Sequence, residues 1–292
     1  MLNQTIISYL AADISQKIDT DFKLEKINPV GGGCINQSYK VSGGEKSFFV
    51  KLNQATQIEM FIAEALGLEE IAETKTIRVP QVICYGTVEQ YSYLVMEWLD
   101  FGTGNKIAWQ KMGQQLAKMH RVGKASAFGW HRNNTIGSTP QINDWRENWA
   151  DFFAELRIGY QLRLANRRGG NFPDYETVIE VIKEHLSERN PQPSLVHGDL
   201  WSGNVAITVE GEPVIIDPAV YYGDREVDIA MTELFGGFPA AFYQGYNQIW
   251  ELDFGYSQRK KIYNLYHVLN HFNLFGGGYG GQANRLIAQI LR

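Results

Sequence analysis

The first hundred residues show hydrophobic patterns typical of a small antiparallel sheet accompanied by one main helix. An amphipathic segment opens the chain, and short runs of strand character separated by glycines follow it. A longer segment then places apolar side chains on one helical face before strand character returns. The predicted elements after the first helix are strands at 24–30, 37–41 and 46–52, a helix at 57–73, and strands at 81–87 and 91–98. This part of the chain therefore has the predicted order β-β-β-α-β-β.

The remainder of the chain is dominated by helical patterns, with long examples at 109–120 and 144–164. Residues 101–104 are rich enough in glycine to form a hinge before this helical part. At 292 residues the chain is longer than one average domain. We therefore expect a two-lobed α+β fold, with a β-rich lobe at 1–100 and a mostly helical lobe at 101–292.

Composition excludes several classes of protein. Hydrophobic residues make up 44% and aromatic residues 13% of the chain, which is enough to fill a substantial core, so the sequence is neither disordered nor fibrous. The opening residues lack the basic start and unbroken apolar centre of a signal peptide, and no segment approaches the ~18 apolar residues that span a bilayer. We expect a cytoplasmic protein that does not bind a membrane.

Net charge and cysteine content further limit the expected binding partners and disulfide bonds. The formal net charge of -5 provides no general attraction for nucleic acid, so we expect no such partner, although Arg163, Arg167 and Arg168 form a local basic group. Two cysteines occur, Cys34 beside a run of glycines and Cys84 in a predicted strand. Thiols so far apart in sequence give no disulfide framework, and we expect both to be reduced.

The strongest chemical signal lies in the helical part. Residues 195–204 are L-V-H-G-D-L-W-S-G-N, and residues 214–218, V-I-I-D-P, follow after a predicted hairpin. Phosphoryl transfer requires an acceptor that orients the attacking hydroxyl and oxygen ligands for Mg²⁺. We predict Asp199 as the catalytic base and Asn204 and Asp217 as the metal ligands. Each aspartate alone is typical of an ordinary loop, and the joint pattern is what favours a catalytic site.

This motif resembles the catalytic loop of protein kinases, and Asp217 resembles the metal-binding aspartate of their D-F-G segment, so we expect the fold to be protein-kinase-like. Pro218 and Ala219 replace the phenylalanine and glycine of that segment, which argues against activation-loop switching of the protein-kinase kind. The same resemblance assigns His197 to bracing the loop through hydrogen bonds rather than to base catalysis. Asp228 is predicted to bind backbone amides of the loop.

A second signal concerns nucleotide binding. A glycine-rich stretch lies between two predicted strands, and the next strand and the following helix carry Lys51 and Glu64. Glycine lets backbone amides approach phosphate oxygens, and a lysine held by a glutamate supplies charge to the phosphates. Glu59 competes for this ion pair, but Glu64 shares the helix face that must point at the sheet. The residues predicted to bind ATP, including a hinge after the last strand, are Gly31, Gly32, Gly33, Cys34, Asn36, Lys51, Glu64, Met96, Glu97, Trp98 and Leu99.

From Gly31 to the glycine cluster that begins at Gly276, the chain resembles the fructosamine kinase family. The most specific matches are G-G-G-C-I-N, H-G-D-L-W-S-G-N, I-D-P-A-V-Y-Y-G-D-R-E-V-D-I-A-M, E-L-F-G-G-F and Y-x-L-Y-H-V-L-N-H-F-N-L-F-G-G-G-Y. The resemblance implies an ATP- and Mg²⁺-dependent kinase that phosphorylates the 3-hydroxyl of ketosamines, the Amadori products of sugars and amines. The 3-phosphate then decomposes and frees the amine, which implies a repair enzyme for proteins or metabolites.

Two residues are candidates for contact with the acceptor. Trp201 lies two residues after Asp199, where its indole could hold a sugar ring or pack beneath the loop. His267 and His271 are one helical turn apart, a spacing that could ligate a metal, but no third ligand accompanies them. We expect these histidines to pack within a helix, with His271 lining the acceptor pocket.

The sequence leaves other interpretations open. Another small-molecule kinase of the same fold would act on an aminoglycoside, choline or a sugar, and a catalytically silent nucleotide-binding module would act by interaction. Intact Lys51, Asp199, Asn204 and Asp217 argue against the silent module. We expect either a monomer or a weak homodimer, whose two copies could be linked by oxidation of Cys34.

Overall fold

The computed structural model describes residues 3–31 and 35–292. The elements of the amino-terminal lobe are α1 (Gln4–Ile18), β1 (Lys26–Val30), β2 (Gln37–Gly43), β3 (Lys46–Gln54), α2 (Ile58–Glu73), β4 (Val82–Val88) and β5 (Tyr91–Glu97). The strands form one antiparallel sheet in the order β1-β2-β3-β5-β4. The predicted order of strands and helix in this lobe is therefore confirmed.

Strand β3 separates a hydrophobic core from the cleft side of the sheet. Val50 and Leu52 are fully buried in the core beneath α1, and the alternation of side chains along a strand directs Lys51 to the opposite face. Helix α2 lies on that opposite face, where its buried residues join the core of the helical lobe. The sheet thus packs its apolar side against α1 and directs Lys51 toward α2.

The helical lobe contains eight numbered helices and three two-stranded ribbons in the described part of the chain. Its elements are α3 (Lys106–Val122), β6 (Asn134–Ile136), β7 (Thr139–Gln141), α4 (Trp149–Asp151), α5 (Tyr160–Arg167), α6 (Tyr175–Leu186), β8 (Ser194–Val196), β9 (Val205–Ile207), β10 (Pro213–Ile215), β11 (Tyr221–Gly223), α7 (Glu226–Leu234), α8 (Ala240–Ile249), α9 (Tyr256–Phe275) and α10 (Tyr279–Ile290). Over residues 3–31 and 35–292, no helix combines the length and the apolar character needed to cross a membrane.

Two of the ribbons position the catalytic motif. Strand β8 pairs with β11 and β9 pairs with β10, all antiparallel. Asp199 lies in the loop from β8 to β9, and Asp217 lies in the loop from β10 to β11. Because each loop connects one ribbon to the other, the two aspartates are brought to the same end of the ribbons.

The helix predicted at 144–164 differs from the structure at its start and in its middle. It begins at Trp149, because the backbone of Arg146 pairs with that of Phe128 through two hydrogen bonds of 2.8 Å. Its middle, Phe152–Gly159, has π-helical geometry and connects α4 to α5. The expectation of a regular helix from residue 144 was therefore wrong, since a tertiary backbone contact holds the first residues extended.

Helix α2 is tied to the helical lobe near its carboxyl-terminal end. Glu70 accepts hydrogen bonds from Trp130 Nε1 (2.6 Å) and from the Tyr222 hydroxyl (2.6 Å). Gly67 packs so closely on Val220 that a Cβ at position 67 would lie 3.0 Å from Val220 Cγ2. The helix that carries Glu64 therefore bridges the two lobes.

Candidate active site

The catalytic-loop motif begins with a tight turn after β8. Gly198 has a φ of 81°, in the left-handed region that favours glycine, and a Cβ there would lie 2.1 Å from the carbonyl oxygen of Ala219. The amide of Ala219 donates in turn to the carbonyl oxygen of His197 (2.8 Å). The segment that follows Asp217 therefore packs directly on the loop, and this contact requires glycine at position 198.

Asp228 holds the loop from the first turn of α7. Its Oδ2 accepts a hydrogen bond from the His197 amide (2.7 Å) and its Oδ1 accepts one from the Gly198 amide (2.9 Å), which are contacts of the predicted kind. Burial alone would raise the pKa of Asp228, but hydrogen bonding and charge from His120 outweigh it and hold the pKa below its usual value. The ionised carboxylate thus fixes the backbone that leads into Asp199.

A chain of buried polar side chains, which the sequence analysis missed, continues from Asp228. His120, on α3, contacts Asp228 Oδ2 through Nε2 (3.0 Å) and the Tyr246 hydroxyl through Nδ1 (2.8 Å). Arg225 donates to the same hydroxyl oxygen (3.0 Å). Because the ionised Asp228 carboxylate can only accept, His120 Nε2–H donates to it. The sequence signal available for this chain was a histidine within the amphipathic pattern of α3.

His197 uses both ring nitrogens to shape the loop. Its Nε2 donates to the carbonyl oxygen of Ile216 (2.9 Å), and its Nδ1 accepts a hydrogen bond from the Asp199 amide (3.2 Å). Burial lowers the pKa of His197, which keeps the ring neutral. These contacts join the catalytic loop to the strand end before Asp217 and leave no ring nitrogen available to accept a substrate proton.

Asp199 and Asn204 lie at the two ends of the catalytic loop and contact each other. Asn204 Nδ2 donates to the carbonyl oxygen of Asp199 (2.8 Å) and to its Oδ2 (3.1 Å). Exclusion of water by the surrounding protein, followed by the charge of Asp217, raises the pKa of Asp199 to about 7. A carboxyl group with such a pKa is well matched to accepting a proton near neutral pH.

Lys51 connects the sheet, α2 and the segment after β10. Its ammonium group donates to Glu64 Oε1 (2.7 Å) and also pairs with Asp217 Oδ1. Burial would lower the pKa of Lys51, but the charges of Asp217 and Glu64 outweigh it and hold the pKa above its usual value. The competing residue, Glu59, instead pairs with Arg132 (2.5 Å). The Lys51–Glu64 pair is therefore present as the helix periodicity predicted.

Asp217 and Asn204 have the chemistry of a magnesium site. Asp217 has a φ of 54°, a left-handed value that is uncommon outside glycine, and its side chain is 46% exposed. Asn204 commits its amide nitrogen to Asp199, which leaves its Oδ1 as the ligand atom. Mg²⁺ prefers oxygen atoms and usually takes only one or two protein carboxylates, with phosphate and water completing its shell. In the described ranges, no group of three or more His, Cys, Asp or Glu side chains is arranged to hold a metal.

The structure describes only the two ends of the predicted phosphate-binding loop. Three of its residues lie outside the described part of the chain: Gly32, Gly33 and Cys34. Asn36 Oδ1 accepts a hydrogen bond from Asn53 Nδ2 (2.7 Å), which ties the end of the loop to β3. At Gly31, no described atom lies within 4 Å of where a Cβ would be, so packing does not require a glycine there.

The end of this loop also meets the helical lobe. A Cβ at Gly137, in the turn between β6 and β7, would lie 2.9 Å from Leu274 Cδ1 and 3.2 Å from Ile35 Cδ1. Ile35 therefore lies beside Leu274, near the last residue of α9. This contact joins the amino-terminal lobe to the helical lobe at the end of α9.

The predicted adenine hinge follows β5. Met96 is buried within the strand, and the Glu97 amide donates to the carbonyl oxygen of Gln81 (2.9 Å). Trp98 and Leu99 come after the last residue pair of β5. Their peptide groups are therefore the part of the hinge segment that lies beyond the strand pairing.

The two residues predicted to contact the acceptor substrate, Trp201 and His271, lie in different surroundings. Trp201 is 39% exposed and packs over Gly203, where a Cβ would lie 2.4 Å from the indole, so the ring is not buried beneath the loop. His271 lies on α9 and contacts the carbonyl oxygen of His267 through Nδ1 (2.8 Å). His267 is buried, and burial lowers its pKa to about 3. The two histidines thus pack within the helix, as expected.

The fold identifies the class of protein. The crystal structure of a thermostable mutant of the aminoglycoside phosphotransferase APH(4)-Ia, at 16% identity, matches with a TM-score of 0.63 and covers 97% of this chain and 98% of that chain. At this identity the likeness concerns the fold alone. The expected protein-kinase-like α+β fold, with an antiparallel-sheet lobe and a helical lobe, is confirmed.

Sequence comparison then gives the family. The model of the fructosamine kinase family matches residues 6–292. A probable ketoamine kinase of Synechocystis is 60% identical over 97% of this chain and 96% of the relative, and a chloroplastic protein-ribulosamine 3-kinase of Arabidopsis thaliana is 45% identical over 92% and 84%. The crystal structure of a Haemophilus somnus relative, 32% identical, has a TM-score of 0.92 and covers 97% of each chain. The chain belongs to the fructosamine kinase family.

Proposed function

We propose that this protein is an ATP-dependent kinase that transfers the γ-phosphoryl group of ATP to the 3-hydroxyl of a ketosamine. The observation that carries the proposal is the meeting of Asp199, Asn204, Asp217 and Lys51 at one end of the cleft. Phosphoryl transfer requires a proton acceptor, metal ligands and a cation for the phosphates, and these four residues supply them. Membership of the fructosamine kinase family supports a ketosamine as the acceptor.

In this proposal Asp199 orients the attacking hydroxyl and accepts its proton. Asp228 and His197 hold the loop so that the Asp199 carboxyl group keeps one position. Positioning of this kind supplies much of the rate enhancement, because phosphoryl transfer needs little covalent help from the protein. Asn204 and Asp217 would hold Mg²⁺, which neutralises charge on the phosphates when it is bound.

Nucleotide binding is assigned to the amino-terminal lobe. In this proposal Lys51, held by Glu64, contacts the phosphates, and the peptide groups of Trp98 and Leu99 bind adenine; the ion pair and the end of β5 at Glu97 support it. The boundary between an ATP-binding lobe at 1–100 and a catalytic lobe at 101–292 remains our proposal. It is supported by the contacts that begin directly after it, such as the Gly102 amide donating to the carbonyl oxygen of Ile207 (2.8 Å).

The names of the relatives support a role in removing sugars from amines. The Arabidopsis relative is named for ribulosamines on proteins, and the Synechocystis relative for ketoamines. We therefore propose ketosamines, free or bound to protein, as the acceptors, with decomposition of the 3-phosphate freeing the amine. Kinases for aminoglycosides, choline or simple sugars share the fold, but no contact in the described residues favours those acceptors.

The test measures ATP consumption against ketosamines derived from ribose, erythrose and glucose, with the free sugars, choline and an aminoglycoside as comparison acceptors. We expect Mg²⁺-dependent ADP formation with one or more ketosamines and none above background with the comparison acceptors. The phosphorylated position is then read by NMR. Turnover of choline or an aminoglycoside in preference to every ketosamine would overturn the proposal.

A further inference from the structure

The last turns of α9 present a hydrogen-bond acceptor that the proposed mechanism does not use. His271 Nδ1 lies 2.8 Å from the carbonyl oxygen of His267, and because a carbonyl group has no hydrogen, Nδ1 carries the proton. The neutral ring therefore has its lone pair at Nε2. Burial lowers the pKa of His271, so the ring remains neutral and Nε2 remains an acceptor near neutral pH.

Three aromatic rings surround this histidine. Their centroids lie 4.8 Å (Phe235), 5.1 Å (Tyr279) and 5.8 Å (Phe275) from that of the imidazole. The rings come from the segment after α7, from the start of α10 and from the end of α9, and Phe275 is 57% exposed, so the cluster opens to solvent. We call His271, Phe235, Phe275 and Tyr279 the aromatic cluster. Aromatic faces attract cations, so rings around a neutral acceptor nitrogen suit a protonated amine.

Helices α7 and α9 connect the surroundings of the catalytic loop to the aromatic cluster. Helix α7 binds the loop through Asp228 in its first turn and ends directly before Phe235. On α9, the Tyr266 hydroxyl donates to Gln141 Oε1 (2.7 Å), and Gln141 Nε2 donates to the carbonyl oxygen of Ala219 (3.0 Å), which packs on the catalytic loop. His271 lies five residues after Tyr266, about 7–8 Å further along the helix axis.

Ile35, at the described end of the predicted glycine loop, reaches the same end of α9. Ile35 lies beside Leu274, which is three residues after His271. The aromatic cluster therefore lies on the side of α9 where Ile35 packs and is reached from the catalytic loop along α7 and α9. A small acceptor whose hydroxyl lies at Asp199 could extend toward the cluster.

We infer that the aromatic cluster binds the protonated secondary amine of the ketosamine, with His271 Nε2 accepting one N–H and the rings contacting the cation. The inference rests on the proposed function, because a ketosamine carries its amine four covalent bonds from the 3-hydroxyl oxygen. A free ketose presents the same hydroxyl groups but no cation. The aromatic cluster thus selects sugars that are attached to an amine over free sugars.

The experiment compares two acceptors on the full-length enzyme: a ribose-derived ketosamine of an alkylamine and its N-acetyl derivative, which keeps the sugar and loses the charge. We expect the wild-type enzyme to prefer the charged acceptor by about 10-fold or more in kcat/KM. His271→Leu and Phe275→Leu should remove most of this preference by raising KM for the charged acceptor. His131→Leu, the same substitution at an exposed histidine, should retain it.

The outcomes separate this inference from the function on which it rests. Phe275 is exposed, so its replacement tests the cluster even if His271→Leu folds poorly, and thermal melting monitors the fold. A wild-type enzyme that turns over both acceptors equally, or variants that keep the full preference, would overturn the inference and leave the kinase function intact. A wild-type enzyme that turns over neither acceptor would overturn the proposed function and this inference together.

Discussion

Two aspartates in one site have environments that suit different tasks. Asp199 is partly buried, and desolvation together with the charge of Asp217 raises its pKa to about 7, whereas the Asp217 side chain is 46% exposed and pairs with Lys51. A carboxyl group that titrates near neutral pH suits proton transfer, and an exposed carboxylate beside a cation suits a metal ion and phosphates. The difference comes from the loops that carry the two residues, since the side chains are identical.

Asp199→Asn should lower kcat by about 10²-fold or more while leaving stability and ATP affinity nearly unchanged. The amide has the same size as the carboxyl group but cannot accept the proton of the attacking hydroxyl. Steady-state kinetics and calorimetric titration with ATP measure the two effects. Asp144→Asn, the same change at an exposed position, is the control. Near-normal turnover by Asp199→Asn would exclude this residue as the base.

Asp217→Ala should instead abolish Mg²⁺-dependent nucleotide binding. The substitution removes the anionic ligand proposed for the metal, while Asp199 and its contact with Asn204 stay in place. Calorimetric titrations with ATP in the presence of Mg²⁺ and of a chelator separate the metal-dependent part of the affinity. If the variant binds Mg·ATP as tightly as the wild type, Asp217 is not the metal ligand.

At the scale of elements, the catalytic loop depends on helices far from it in sequence. Tyr246→Phe deletes the hydroxyl that links Arg225 on one side to His120 on the other. We expect a loss of about 1–3 kcal/mol in the free energy of unfolding, because buried polar groups lose a partner. We also expect a lower kcat at an unchanged KM for ATP, since the chain supports Asp228 beneath the loop.

Urea unfolding and steady-state kinetics measure these two effects. Tyr243→Phe is the matched control, because Tyr243 lies on the same helix and its hydroxyl also forms hydrogen bonds, but with Thr232 and Phe238. The control should lose stability without losing turnover. Equal losses of kcat in the two variants would show that the chain through Tyr246 has no special role in the catalytic loop.

Much of the architecture can be predicted from local pattern. The order β-β-β-α-β-β follows from side-chain periodicity, and the pairing of Lys51 with Glu64 follows from the face of one helix. The catalytic motif is a short stretch of sequence that is recognised by the spacing of its aspartate and asparagine residues. Each of these features depends on residues close together in sequence or on one repeating element, which is why the sequence predicts them.

The long-range contacts that hold the catalytic loop and its surroundings could not be predicted from local pattern. His120 and Tyr246 are 126 residues apart, and each by itself is an ordinary residue of an amphipathic helix. The early part of the helix predicted at 144–164 is extended because Arg146 pairs with Phe128, a contact set by tertiary packing. Such contacts can be identified only from the three-dimensional structure, because residues far apart in sequence share no periodic pattern.

At the scale of the whole molecule, the Glu70 side chain adds two hydrogen bonds to the apolar packing that holds α2 against the helical lobe. Glu70→Ala would leave the Trp130 indole and the Tyr222 hydroxyl without their acceptor, with an expected loss of about 1–3 kcal/mol in the free energy of unfolding. Because the same helix carries Glu64, KM for ATP should rise as well. Glu69→Ala, at the exposed neighbouring position, should change neither quantity.

Denaturant unfolding and the ATP dependence of turnover measure these changes. A Glu70→Ala enzyme that is less stable but binds ATP normally would show that other contacts suffice to orient α2. The close packing of Gly67 on Val220 and the Glu59–Arg132 pair are among the contacts that would then hold the helix.

The attachment of α2 also bears on how such an enzyme is controlled in a cell. Where the corresponding helix of a kinase can swing, a modification or a partner assembles the lysine–glutamate pair and starts catalysis. Here the pair is already formed and its helix is bound to the opposite lobe. We therefore expect no separate step that first assembles this pair: product should accumulate without a lag from the moment of mixing, and the initial rate should depend on the amounts of enzyme, ATP and ketosamine.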